Sequence, residues 1–373
     1  MRYNTYLGIL VVSAVTAFWL TPLAGWLAFR VGAIDIPNER KVHRGVMPRL
    51  GGLAVYLAFL LSLLAVPFLQ NSIAAEFRRF AQLMVPLFLG SLATLLLGIY
   101  DDIRGANASK KFLAQIVIAS GLWMGGFRID AMIVPFLGPI DLHYIGLPIT
   151  VLWIVGVTNA VNLLDGLVAG VTACMALSLA VINIFSQNVL VSLLNLALAG
   201  ACLGFLPHNH SPARIFLGDS GSLTIGMILS CISIISLFNG EEGSRGASSV
   251  LTVPLLLFAL PLFDTAQVMY NRWRRNVSIF QADKGHVHHH LLAMGYDHRQ
   301  AARILYSVAI VTGILAIALS LMDLGSQIFL SILFLVMAIG FLLIWRSRLR
   351  DDDDDTDSRK SGDSEMTYRD PAL

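Results

Sequence analysis

Long apolar runs separated by short polar breaks dominate this chain. Hydrophobic stretches at 5–29, 51–70, 82–100, 112–126, 146–163, 167–186, 188–206, 220–238, 249–270, 302–321 and 326–345 approach or exceed the roughly 20 residues that a helix needs to cross a bilayer. Helix is the required element, because a bilayer core offers no water to an open backbone. The pattern predicts an all-α polytopic membrane protein with about eleven transmembrane helices.

The first run is too long and continuous for a cleaved signal peptide, so it is expected to stay in the mature chain. Between 127 and 145 the pattern alternates around Gly138-Pro139, which predicts a small β-hairpin. No internal repeat is visible. The reading is one integral-membrane domain, 1–350, followed by a tail, 351–373, whose nine acidic residues mark it as solvated and disordered.

Composition excludes an ordinary soluble protein: 56% of residues are hydrophobic, 13% are charged, and the mean hydropathy is +0.71. Placing the N-terminus in the periplasm puts 21 of the 26 Lys and Arg, and the C-terminus, on the cytoplasmic side. The hairpin then falls in the periplasm. The net charge of +2 adds little, since the acidic tail offsets the basic loops. Cys174, Cys202 and Cys231 lie inside apolar runs and read as small packing residues.

Polar clusters stand where apolar runs end, all on the predicted cytoplasmic side. Asp101-Asp102 closes one run, and neighbours about 100° apart on a helix suit two separate roles rather than one shared partner. Lys111 adds a cation at the start of the next run. Asn159, Asn162 and Asp165, three apart, share one helical face, either as a site or as amides that stitch helices together. Asp219, flanked by glycines, opens a run whose first N–H groups favour phosphate while its carboxylate suits Mg²⁺; the alternative is a plain helix cap. His286, His288, His289 and His290 lack zinc-protease spacing and suit anionic oxygens instead. Asp264, an acid inside a run, is a functional candidate by position. Together these residue types call for oxyanions and a divalent cation, as phosphoryl transfer does.

From about residue 30 to 310 the motifs resemble those of the polyprenyl-phosphate N-acetylhexosamine-1-phosphate transferases, the superfamily of the WecA, TagO and MraY types. The resemblance rests on Asp35-Ile-Pro-Asn-Glu-Arg-Lys-Val-His43, Pro48-Arg-Leu-Gly-Gly52, Asp101-Asp102 with Lys111, Asn159-Ala-Val-Asn162, Phe216-Leu-Gly-Asp-Ser-Gly-Ser222 and Asp283-Lys-Gly-His-Val-His-His289. It implies eleven spans, a cytoplasmic active site in the inner membrane, and transfer of a sugar 1-phosphate from a UDP-sugar to undecaprenyl phosphate with release of UMP. The implied cofactor is Mg²⁺, with Mn²⁺ as a substitute; the implied partners are the two substrates and the bilayer, with a homodimer allowed and no nucleic acid.

Residue by residue, the resemblance makes Asp101, Asp102 and Asp219 catalytic and gives the metal to Asp219 with Asn162 or Asp102. Lys111, Asn159, Asp165, His286, His288 and His289 would bind substrate. Two departures stand out: Asn162-Leu-Leu-Asp-Gly-Leu-Val-Ala-Gly170 is about three residues short and carries one acid where the family's loop has two, and Lys284 stands where Arg is more common. His286-x-His288-His289 points to N-acetylglucosamine as the sugar. The rival readings are a phospho-N-acetylmuramoyl-pentapeptide transferase and a non-catalytic lipid or ion transporter.

Overall fold

The computed structural model describes residues 2–37, 45–70, 72–134, 137–164, 166–237, 251–274 and 286–333. The helices are α1 (Arg2–Val31), α2 (Gly51–Leu64), α3 (Ser72–Arg79), α4 (Ala81–Arg104), α5 (Ala108–Met124), α6 (Gly146–Asn162), α7 (Val168–Phe185), α8 (Val189–Asn209) and α9 (Gly218–Leu237). They are followed by α10 (Thr252–Leu257), α11 (Ala259–Arg274), α12 (Val287–Ala293) and α13 (His298–Ser320). Among the described residues, eight helices are long and apolar enough to cross a membrane. The protein is an all-α polytopic membrane protein.

The other expected spans differ in instructive ways. The apolar run at 249–270 is split into α10 and α11, because Pro261 lacks an N–H and its ring would collide with the carbonyl four residues back, at Leu257. Phe258 leaves the helical region there, with φ −95° and ψ 14°. The run at 112–126 becomes α5, of 17 residues. The run at 326–345 passes beyond the described residues, as do the tail and Asp165 and Lys284. Its described start, Leu324–Leu333, is a short apolar helix preceded by Asp323, whose carboxylate accepts the Ser326 N–H at 3.0 Å.

The expected hairpin forms from β3 (Ala131–Val134) and β4 (Gly138–Asp141), antiparallel, with Ala131 opposite Asp141. A second ribbon was not foreseen: β1 (Ile34–Asp35) pairs antiparallel with β2 (Met47–Pro48), linking the end of α1 to the start of α2.

α8 and α9 are buried along most of their length, while α1, α4 and α13 leave broad apolar faces exposed for lipid. Inside the bundle, short polar side chains join helices that apolar burial alone would not fix in register. The Ser13 hydroxyl donates to the Ala197 carbonyl at 2.7 Å, Trp153 Nε1 donates to Ser233 Oγ at 3.0 Å, and Asn183 Nδ2 to Ser236 Oγ at 2.5 Å. α9 packs against α2, α4 and α6, so its first turn meets the ends of all three.

Candidate active site

The site is built around the first turn of α9. The segment before it runs beside β2: Phe216 N–H donates to the Pro48 carbonyl at 2.8 Å, and the N–H groups of Gly51 and Gly52 donate to Phe216 and Leu217 at 3.0 and 2.8 Å. Gly218 makes the turn into α9 at φ +73°, a left-handed conformation that side chains resist. α4 approaches the same turn through Gly98, where a Cβ would fall on the backbone of Ser220. Asp101 and Asp102, one turn further along α4, are thereby brought to the start of α9.

The two neighbouring aspartates take separate tasks. Asp102 accepts the backbone N–H of Asp219 at 2.9 Å and of Ser220 at 3.0 Å, and its side chain is wholly buried. It caps α9 from another helix, supplying charge where the helix dipole and free donors want it. Those N–H groups are therefore closed to phosphate, contrary to the sequence expectation. Asp102 also has no exposed face for a metal, and its geometry is that of a positioning group.

Asp101 faces the other way. Its carboxylate accepts the Ala106 N–H at 2.5 Å and the Lys111 ammonium at 3.0 Å. The same ammonium donates to Asp219 at 2.6 Å, so Lys111 bridges carboxylates from α4 and α9. Asn107 starts α5 by accepting the Ser109 N–H at 2.9 Å, which sets Lys111 in the first turn, pointing back at α4.

Arg49, which sequence reasoning did not single out, completes the charge set. Its guanidinium lies 3.7 Å from Asp35, 3.6 Å from Asp102 and 4.0 Å from Asp219. It belongs to the Pro48–Gly52 motif, which was the available signal. Of these acids only Asp102 is fully covered: the carboxylates of Asp35, Asp101 and Asp219 stay partly open, at 14%, 12% and 15% exposure, and of these Asp101 and Asp219 share Lys111.

The remaining candidates are distributed around this centre. Asn162 accepts the Ser222 hydroxyl, tying the end of α6 to α9. Asn159 sits one turn deeper and stitches helices: its amide donates to Gln115 Oε1 at 2.5 Å and to the Val155 carbonyl at 2.8 Å. Gln115, buried in α5, was also missed from sequence.

His286 precedes α12, and its Nδ1 lies 2.9 Å from Asp264, which also accepts the Val287 N–H at 2.7 Å. Asp264 is thus an anchor for the histidine segment. His288 and His289 adjoin, with ring centroids 4.0 Å apart. Burial, then the neighbouring His289 and His286, push His288 down from 6.5 to about 4, so it is neutral at pH 7.

His288 lines a cavity of about 510 Å³ together with Met47, Gly166, Phe216, His298 and Tyr306. Asp101, Asp102 and Asp219 do not line it. Met47 and Phe216, which do line it, stand two and three residues before Arg49 and Asp219 in the chain.

Residues 84–237, which span α4 to α9, match the sequence profile of glycosyl transferase family 4. A probable undecaprenyl-phosphate N-acetylglucosaminyl 1-phosphate transferase of Bacillus subtilis is 35% identical over 338 residues, 90% of this chain and 89% of the relative. The chain belongs to this family. A decaprenyl-phosphate N-acetylglucosaminephosphotransferase of Mycobacterium leprae is 34% identical, covering 79% of each chain. A phospho-N-acetylmuramoyl-pentapeptide-transferase of Listeria monocytogenes is 26% identical over 85% of this chain and 97% of the relative. For a family 4 member, the first turn of α9 with its capping and bridging partners is the candidate active site.

Proposed function

We propose that this protein transfers N-acetylglucosamine 1-phosphate from its UDP derivative to undecaprenyl phosphate and releases UMP. A phosphate oxygen of the lipid bonds to the phosphorus that carries the sugar, and the bond from that phosphorus to the bridging oxygen breaks. UMP leaves with that oxygen. The observation that carries the reading is the Asp101–Lys111–Asp219 bridge at the first turn of α9; the cavity lined by His288, Met47 and Phe216 supports it. Acids and cations at this density are costly at the end of membrane helices unless they handle charged substrate.

The relatives named for N-acetylglucosamine transfer are 34–35% identical over most of the chain, against 26% for the Listeria pentapeptide transferase, which supports the simpler sugar. The predominance of Lys and Arg on this side supports a cytoplasmic site in the inner membrane.

The proposed cofactor is Mg²⁺, replaceable by Mn²⁺. Among the described residues no group of three or more His, Cys, Asp or Glu forms a cage. Two partly open carboxylates fit Mg²⁺, which takes one or two from protein and the rest from water and phosphate. When bound, Mg²⁺ would neutralise the diphosphate and favour departure of UMP. Asp219 and Asp101 would hold it, Asp102 would fix the backbone that presents Asp219, and Arg49 would balance the buried Asp102. Neutral imidazole at His288 would bind the diphosphate by hydrogen bonding rather than by charge.

The test is direct. Full-length protein with undecaprenyl phosphate, UDP-N-acetylglucosamine and Mg²⁺ releases UMP, and Asp219→Ala releases none above background. Folded wild-type protein that yields no UMP from a panel of UDP-sugars would sink the proposal.

A further inference from the structure

Lys111 occupies the space between the two carboxylates best placed for a metal. Its ammonium lies 2.6 Å from the Asp219 Oδ2 and 3.0 Å from the Asp101 Oδ2, with 19% of the side chain exposed. A Mg²⁺ ion at its usual distance of about 2 Å from the same Asp219 oxygen would stand against that ammonium. Two cations so close in a half-buried site repel strongly.

We infer that Lys111 is a resident counter-cation which the divalent metal displaces, and that the freed ammonium turns to substrate phosphate. The inference rests on the Mg²⁺ reading above and deepens it. Among the described residues, Arg49 lies against Asp35, Asp102 and Asp219, while Lys111 bridges Asp101 and Asp219. Paired carboxylates such as Asp101 and Asp219 suit a divalent ion with oxygen ligands. Before it binds, Lys111 relieves repulsion between Asp101 and Asp219, so the metal-free site stays assembled. Lysine suits the exchange because its compact charge rides on a flexible four-carbon stem, unlike a planar guanidinium locked in a fork. Asp102 cannot yield in the same way, since both its oxygens hold the α9 backbone.

The experiment needs no substrate. Purified full-length protein is briefly treated with an amine-acylating reagent, with Mg²⁺ alone as the probe, and modification at Lys111 is read by mass spectrometry. The adjacent Lys110, which is exposed, serves as the internal reference. The ratio of Lys111 to Lys110 modification is expected to rise several-fold with Mg²⁺ and not with NaCl of equal ionic strength. In parallel, Mg²⁺ binding is followed by thermal shift. Lys111→Met is expected to bind Mg²⁺ about tenfold more tightly, because the competing cation is gone, and Asp219→Asn to lose binding.

If wild-type protein binds Mg²⁺ while the Lys111 ratio stays flat or falls, or if Lys111→Met binds it more weakly, displacement is overturned and the metal reading stands. If wild-type protein shows no Mg²⁺ binding, the metal reading fails and this inference fails with it.

Discussion

Asp102 holds the backbone N–H of Asp219 at 2.9 Å, so one aspartate positions the other. The pair joins helices 117 residues apart in the chain and leaves only the second carboxylate facing Lys111. Replacing Asp102 and Asp219 should therefore have different consequences.

Asp102→Asn retains shape but loses the charge and turns an amide donor toward two backbone donors. Loss of a buried, charged acceptor costs about 1–3 kcal/mol, so thermal unfolding in detergent should fall by several degrees along with UMP release. Asp219→Asn should remove UMP release with little change in unfolding temperature. Equal thermal losses in both variants would contradict the division of roles.

Gly98→Ala should be harmful beyond its size. The added methyl meets the Ser220 backbone, and overpacking of this kind costs about 1–3 kcal/mol. Gly121→Ala in α5 meets nothing within 4 Å and should be neutral or stabilising by about 0.5–1 kcal/mol through helix propensity. Thermal unfolding of the two variants side by side checks the contrast.

Asn159 and Gln115 should behave as a structural couple. Either alanine variant removes one hydrogen-bond partner of the other amide, at about 1–3 kcal/mol, whereas the double variant should lose less than the sum of the singles. The Michaelis constant for UDP-sugar should stay near the wild-type value in all three. A large rise would return Asn159 to the substrate-binding set.

His288 makes a prediction in pH. Its folded value of about 4 lies below the ordinary 6.5, so between these limits the unfolded chain binds more protons than the folded one. The stability linked to this residue is present above pH 6.5 and is lost as pH falls toward 4. A bound diphosphate should raise the value and cause proton uptake at about pH 5.5. Calorimetry of UDP-sugar binding in buffers of different ionisation enthalpy measures this, and His288→Asn should abolish the uptake.

Much of this architecture was legible in the sequence, because bilayer thickness fixes the length of apolar runs and polar residues are confined to their ends. The Asp101-Asp102 neighbours also disclosed their divergence, since helical geometry points them apart. What was not legible depended on contacts between distant segments. The capping role of Asp102 requires the start of α9, the value of Arg49 requires β2 to run beside Phe216, and Gln115 gains meaning only opposite Asn159. The break at Phe258 could have been read from Pro261, but the continuous apolar run outweighed it.

The bridge made by Lys111 also bears on biogenesis. Its partners come from residues 101 and 219, so a nascent chain halted before α9 would carry unmatched charge and no working centre. Truncated products should be inert, and two co-expressed fragments divided between α6 and α9 should recover turnover only when they reassociate within one bilayer.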